Sequence, residues 1–348
     1  MDHLANPFRR TGMPHPALVD IPWPSAAADV TRRMLARCPR AAETPLRQAP
    51  GLAAQAGIAA IEVKDERGRM GLGSFKALGA ANVIAHHARD GQASGRTYVT
   101  ASAGNHGLSV AAGARAFGAR ARVFLSETVP EGFAQRLRDE GAEVVRAGAA
   151  YEESMDAAQA DAEGGGGTLL SDSSWAGYTE LPHLLMEGYT ALMAEAAEQV
   201  KASPTHLFLQ AGVGGLAAAA AAHARLAWGE APVIVVVEPE FAPALFGSIA
   251  AGAPVATEGP VSIMGRLDCK APSLIALKGL AREADHFLTI TEQEAQTGVE
   301  RAADEGLAST ASGAAGLAAL LAAGPVREAL ALDETSRAFV ILSEAAEA

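Results

Sequence analysis

The segment Gly71-Leu72-Gly73-Ser74-Phe75-Lys76-Ala77-Leu78-Gly79 sets a lysine beside an aromatic ring, behind glycines and at the start of a helical pattern. Burial disfavours the ammonium form, and the neutral amine that results is a nucleophile able to form a Schiff base with a carbonyl. The alternative for Lys76 is an ordinary solvated helix lysine. Further on, Thr100-Ala101-Ser102-Ala103-Gly104-Asn105-His106-Gly107 sits between a strand pattern and a helical one. Small residues there let backbone N–H groups approach an anion, and the helix start adds positive partial charge. Ser102 and Asn105 add hydrogen-bonding side chains, so the segment suits a carboxylate. The same residues also serve as a plain helix cap, with His106 a core histidine. Gln210-Ala211-Gly212-Val213-Gly214-Gly215-Leu216 occupies another strand-to-helix junction and suits a phosphate. It lacks the Lys-Ser/Thr ending of a P-loop and the spacing of a dinucleotide fingerprint.

These junctions require strands feeding helices. Strands are expected at Ile61–Lys64, Thr97–Thr100, Ala121–Ser126, Glu143–Arg146, Thr168–Leu170, His206–Gln210 and Val233–Glu238. Helices are expected at Ser74–His87, His106–Phe117, Glu131–Glu140 and Leu216–Trp228; in the first, Ala77, Ala80, Ala81 and Ile84 share one face. The run Gly164–Gly167 reads as a flexible turn ahead of a strand. Such alternation predicts an α/β architecture of mainly parallel sheets flanked by helices. Two lobes are expected: residues 69–163 as a small lobe set into a large lobe of 1–68 and 164–348, with 1–30 an irregular arm.

Composition narrows the function. A net charge of -12 excludes a general nucleic-acid binder, which needs a concentrated basic surface. With cysteine only at Cys38 and Cys269, neither a disulfide framework nor a Cys-rich metal site is supported, and no metal is expected. The first residues carry Asp2, Arg9 and Arg10 without an apolar run, unlike a signal peptide, and Ala217–Ala222 is too short to span a bilayer. A cytoplasmic protein is expected.

In order, the lysine segment, the Ser-rich loop and the Gly-rich loop resemble those of fold-type II enzymes dependent on pyridoxal 5'-phosphate (PLP), which share a tryptophan synthase β-like fold. Thr44-Pro45-Leu46 and Val63-Lys64-Asp65-Glu66 resemble upstream pieces of threonine dehydratases. Within that family the chain is most similar to the diaminopropionate ammonia-lyase branch, through the lysine segment, Asp172-Ser173-Ser174-Trp175-Ala176-Gly177-Tyr178, Met186-Glu187-Gly188-Tyr189, Val237-Glu238-Pro239 and Ile263-Met264. The resemblance runs over residues 44–317.

It implies α,β-elimination from a small amino acid, through aminoacrylate to a 2-oxo acid and ammonia. Lys76 would hold PLP as a Schiff base and, when released, take the α-proton. Phe75 would pack on the pyridine ring, Asn105 would bond its phenolic oxygen, and Gly212, Val213, Gly214, Gly215 and Leu216 would hold the phosphate. Ser343, ending the strand pattern Val340-Ile341-Leu342-Ser343, would face the pyridine nitrogen or simply close a turn. Ser102, Ala103, Gly104 and His106 would line the substrate, and Asp172 would bind or protonate the leaving group unless it is a cap. A homodimer is also implied. The chain departs from the branch at Ala103, where an aspartate is usual, at Arg266-Leu267-Asp268-Cys269-Lys270, a more neutral stretch there, and at Ala311, where an acid is common. Ala103 leaves a threonine, serine or 3-hydroxyaspartate dehydratase as the alternative. A silent PLP-fold protein that binds a ligand is the reading from another class.

Overall fold

The structure, a computed structural model, describes residues 1–347; residue 348, the last of the expected large lobe, lies outside them. The larger sheet is built from β1 (Asp2–Ala5), β2 (Leu46–Gln48), β3 (Ala60–Asp65), β8 (His206–Gln210), β9 (Val233–Pro239), β10 (His286–Ile290) and β11 (Arg337–Leu342). Their spatial order is β1-β10-β9-β8-β11-β3-β2. The edge pairs β1/β10 and β2/β3 are antiparallel and the inner strands are parallel. The smaller sheet holds β4 (Thr97–Ala101), β5 (Arg120–Leu125), β6 (Glu143–Arg146) and β7 (Thr168–Leu169), parallel throughout, in the order β6-β5-β4-β7.

The helices are α1 (Asp29–Leu35), α2 (Pro50–Ala56), α3 (Lys76–Arg89), α4 (Asn105–Ala116), α5 (Glu131–Asp139), α6 (Tyr151–Glu163), α7 (Glu180–Gln199), α8 (Gly215–Trp228), α9 (Ala244–Ala251), α10 (Leu274–Glu283), α11 (Glu292–Asp304) and α12 (Ala315–Ala322). Two expectations about the chain's division need correcting. The N-terminal arm is not wholly irregular, because Asp2–Ala5 pairs with β10 as an edge strand. The smaller sheet also reaches past residue 163, since β7 pairs with β4 through Tyr98 and Val99.

Helices α3 and α7 carry a core shared by both sheets: one apolar cluster joins Val123 and Leu125 of β5 to Leu207 and Leu209 of β8 through Leu78, Leu185 and Leu192. Close contact of α3 with α7 needs glycine on each. A Cβ on Gly188 would lie 2.5 Å from the Leu78 carbonyl oxygen, and one on Gly79 would lie 2.7 Å from Tyr189 Cε1. The approach to Lys76 is pinned from behind by a buried ionic group. Lys64 Nζ on β3 donates to Glu195 Oε2 of α7 (2.7 Å) and to the Thr44 carbonyl (2.7 Å). Arg69, in the 3₁₀ turn Glu66–Gly71, bonds both Glu66 and Glu195 at 2.7 Å. Two cations and two carboxylates thus neutralise one another out of water, as burial of charge demands.

Candidate active site

In parallel sheets ligands gather at the carboxyl ends of strands, because the following helices begin there. Here β4 runs into Ser102–Gly104 and α4, β7 into the Asp172 loop, β8 into Gly212–Gly214 and α8, and β11 into Ser343. Lys76 opens α3, and its approach is fixed from β11: the Phe75 N–H donates to the Ser343 carbonyl at 3.1 Å.

Lys76 Nζ donates to the carboxylate of Asp172, the two side chains being 21% and 22% exposed. Burial presses the Lys76 ammonium to lose its proton, but Asp172 and then Tyr189 outweigh it and hold the group above the ordinary lysine range. Asp172 is the mirror case: burial raises its carboxyl, Lys76 outweighs that, and it stays below the usual carboxylate range. This corrects the expectation of a lysine neutralised by burial, and it also excludes the solvated one. Lys76 in the free protein is paired with the Asp172 carboxylate, which favours its ammonium form.

Around this pair, the Phe75 ring meets Tyr189 edge-on with centroids 4.8 Å apart, and Lys76 Nζ lies 5.3 Å from the Phe75 centroid. The Tyr189 hydroxyl is buried without a hydrogen-bond partner among the described residues, and burial raises its phenol. His106 Nε2 donates to the Leu170 carbonyl at 2.8 Å, which fixes the tautomer and leaves Nδ1 as a buried, unpartnered acceptor. Burial lowers its basicity, so it is neutral. The pattern Asp172–Tyr178 is a loop staple. Trp175 and Tyr178 stack at 4.4 Å, while Tyr178 Oη donates to the Leu169 carbonyl at 2.9 Å and accepts from Ser171 N at 3.1 Å. Cys269 stands beside Gly212, its thiol pushed up to about 12 by burial, and is therefore protonated.

Two helix starts are open to anions. Neither α4 nor α8 has a side-chain cap, and among the described residues the N–H groups of Gly214, Gly215 and Leu216 have no protein acceptor. Gly214 has φ 97°, and a Cβ there would meet Ala276 and Leu245 at 2.9 Å, so only glycine closes this loop. At α4, Ser102 Oγ accepts from Gly104 N at 3.3 Å, and among the described residues the N–H groups of Asn105, His106 and Gly107 have no protein acceptor; Ala103 brings no ionisable group. The Asn105 amide instead donates to Glu344, whose carboxylate also accepts from Thr310 and lies 3.2 Å from Arg266 Nε. A paired lysine, a flanking aromatic and an uncapped glycine cradle fit PLP: one amine for its aldehyde, one surface for its ring and one helix start for its phosphate.

The structure thus brings Lys76, Phe75, Asp172, Asn105, His106, the Ser102–Gly104 loop, the Gly212–Leu216 loop and Ser343 to one cleft. Tyr189, Glu344 and Arg266 are members for which sequence reasoning named no role. Tyr189 stood inside a quoted motif and Glu344 directly after Ser343, so each had a positional signal but no chemical one.

The family profile described as "Pyridoxal-phosphate dependent enzyme" matches residues 39–344. The chain is 31% identical to the diaminopropionate ammonia-lyase of Escherichia coli (strain K12), over 86% of this chain and 84% of that one. To the diaminopropionate ammonia-lyase of Salmonella typhimurium it is 32% identical, over 69% of this chain and 66% of that one. The crystal structure of the Escherichia coli enzyme in complex with an aminoacrylate-PLP azomethine reaction intermediate superposes with a TM-score of 0.89 at 27% identity, covering 99% of this chain and 93% of that one.

Proposed function

This chain belongs to the pyridoxal-phosphate dependent enzyme family, and we propose that it is an ammonia-lyase that eliminates the β-amine of 2,3-diaminopropionate or a close analogue, giving a 2-oxo acid and ammonia. The observation that carries the reading is the Lys76–Asp172 pair, set between two uncapped helix starts.

When bound, PLP supplies an electron sink that makes the α-proton removable and the β-bond breakable. The residues divide the remaining work. Lys76 is the attachment amine and, once free, the base that takes the α-proton. The start of α8 holds the phosphate through Gly212–Leu216, and the start of α4 holds the substrate carboxylate through the N–H groups around Ser102, Ala103, Gly104 and His106. Asn105 would hold the ring's phenolic oxygen and Ser343 would lie at its pyridine nitrogen. Asp172 serves the leaving group. The α-proton that Lys76 takes makes it an ammonium again, and Asp172, paired with that ammonium, can pass the proton on to the departing amine. Phe75 and Tyr189 close one wall against water.

Ala103 favours a second reading, a dehydratase for serine, threonine or 3-hydroxyaspartate, because the loop Ala101-Ser102-Ala103-Gly104-Asn105-His106 carries no acid of its own. Screening both enantiomers of these amino acids and of diaminopropionate for release of 2-oxo acid and ammonia decides between them. Turnover of the hydroxy amino acids with none of diaminopropionate overturns the ammonia-lyase. A cytoplasmic homodimer and lobes divided as the two sheets divide complete the proposal, supported by the family resemblance and the sheet topology; light scattering on the purified protein tests the dimer.

A further inference from the structure

Arg266 lies in the connection between α9 and α10, and its backbone is fixed against the site: its N–H donates to Ser312 Oγ at 3.1 Å, and its carbonyl oxygen lies 3.1 Å from where a Cβ on Gly212 would sit. The side chain reaches the other anion loop. Its Nε lies 4.0 Å from the Cβ position of Gly104, at the start of α4. That Nε is 3.2 Å from Glu344 Oε2, while Nη2 donates to Glu347 Oε1 at 2.8 Å. The Glu344 contact is poorly directed, so among the described residues Nε is buried from solvent without a hydrogen bond. Glu344 is itself shared with Asn105 and Thr310, and Glu347 is 59% exposed, where an ion pair is weak. Both carboxylates ride on one segment, tied beside Lys76 by Ala345 N donating to the Gly73 carbonyl at 2.9 Å.

We propose that Arg266 is a carboxylate-binding residue of the substrate site, occupied in the free protein by Glu344 and Glu347 and passed to a substrate carboxylate that docks at the start of α4. This rests on the reading of the protein as an amino-acid lyase. A guanidinium presents a planar fork of donors that matches a carboxylate, and the absence of a side chain at Gly104 leaves room for that fork beside the open N–H groups of α4. The bound group is either the α-carboxylate common to all amino acids or a distal carboxylate of an acidic substrate.

Two probes without a β-leaving group separate these sources: L-alanine, with one carboxylate, and L-aspartate, with two. Their Kd for the PLP-loaded protein is measured by calorimetry for wild type, Arg266→Gln and Arg266→Lys. Arg266→Gln is expected to weaken binding about tenfold or more, the loss of a hydrogen bond to a charged group, with partial recovery in Arg266→Lys. On a turned-over substrate, KM rises while kcat stays within a few-fold. Weakening of both probes assigns the α-carboxylate, and weakening of aspartate alone assigns a distal one. Unchanged Kd for both overturns the proposal. Should Arg266→Gln lose PLP, Glu347→Gln decides: freeing Nη2 tightens the probes a few-fold, and unchanged or weaker binding overturns the proposal. If wild type eliminates no amino acid, the lyase reading fails while these Kd values still judge Arg266.

Discussion

Lys76 and Asp172 each keep the other charged, so the amine becomes a nucleophile only when its proton can leave. Because the Lys76 ammonium is held above the ordinary lysine range, covalent attachment of PLP to cofactor-free protein should accelerate as pH rises through the alkaline range. Asp172→Asn removes the counter-charge and leaves burial acting alone, which lowers the ammonium's pKa and should move that acceleration to lower pH. Stopped-flow absorbance after mixing with PLP checks it, and coincident profiles for the two proteins would contradict the pairing. Lys76→Ala should cost about 10²–10⁴-fold or more in turnover through loss of the base, while PLP is still held by the α8 start. Borohydride reduction of wild type should label Lys76, and near-normal turnover of the variant would put the chemistry elsewhere. With Lys76 the one base at the α-carbon and Ala103 bare, L-substrates should be preferred by a comparable factor. Equal kcat/KM for the two enantiomers of the best substrate would call for a second base. The positions of Asn105 and the glycine loop at strand-to-helix junctions were legible in local sequence, as was that of Lys76 at a helix start. The charge state of Lys76 was not, since its partner is 96 positions away and no local pattern encodes that contact.

At the scale of elements, what aims Lys76 is the meeting of β3, the 3₁₀ turn Glu66–Gly71 and α7 over the buried group of Lys64, Glu66, Arg69 and Glu195. Glu195→Gln would leave two cations facing one carboxylate, a loss of about 3–5 kcal/mol. A denaturant midpoint at neutral pH measures it, and an unchanged midpoint would show that the group does not hold the elements together. The sign of the pH effect is fixed. Burial raises the Glu195 carboxyl, but Arg69 and Lys64 outweigh it and depress the group below its ordinary value. Its contribution is therefore present above the unfolded value of about 4.3 and is lost as pH falls through the folded one. Acid sensitivity in that window should be smaller in the Gln variant. Strands β6 and β8 were legible with the bounds the structure gives them, since each is a short run rich in Val, Leu or Phe between turn residues. Strand β1 was not, because Asp2-His3-Leu4-Ala5 has no alternation of its own and is made a strand by the edge of β10.

At the scale of the molecule, the carboxyl ends of two sheets meet across one cleft, and the apolar core runs unbroken between them through α3 and α7. On the proposed reading, the cofactor's phosphate is held at the start of α8 on the larger sheet and the substrate carboxylate at the start of α4 on the smaller. Their ligands should therefore stabilise the whole fold rather than one half of it. A ligand that binds only the folded chain adds about 2.7 kcal/mol at a hundredfold excess over its Kd, so PLP should raise the thermal midpoint in one cooperative transition. Pyridoxal, which lacks the phosphate, should raise it much less, because the open N–H groups of Gly214, Gly215 and Leu216 then stay unpaired. Gly214→Ala extends the test: its φ of 97° and the 2.9 Å approach of a Cβ to Ala276 and Leu245 force the loop to shift. The PLP-induced rise should shrink in this variant toward that given by pyridoxal. Calorimetric scans of the two proteins, each with PLP, with pyridoxal and alone, measure these shifts. Equal rises from the two ligands in wild type would remove the phosphate from the α8 start, and an undiminished PLP effect in Gly214→Ala would place the phosphate contacts on another loop.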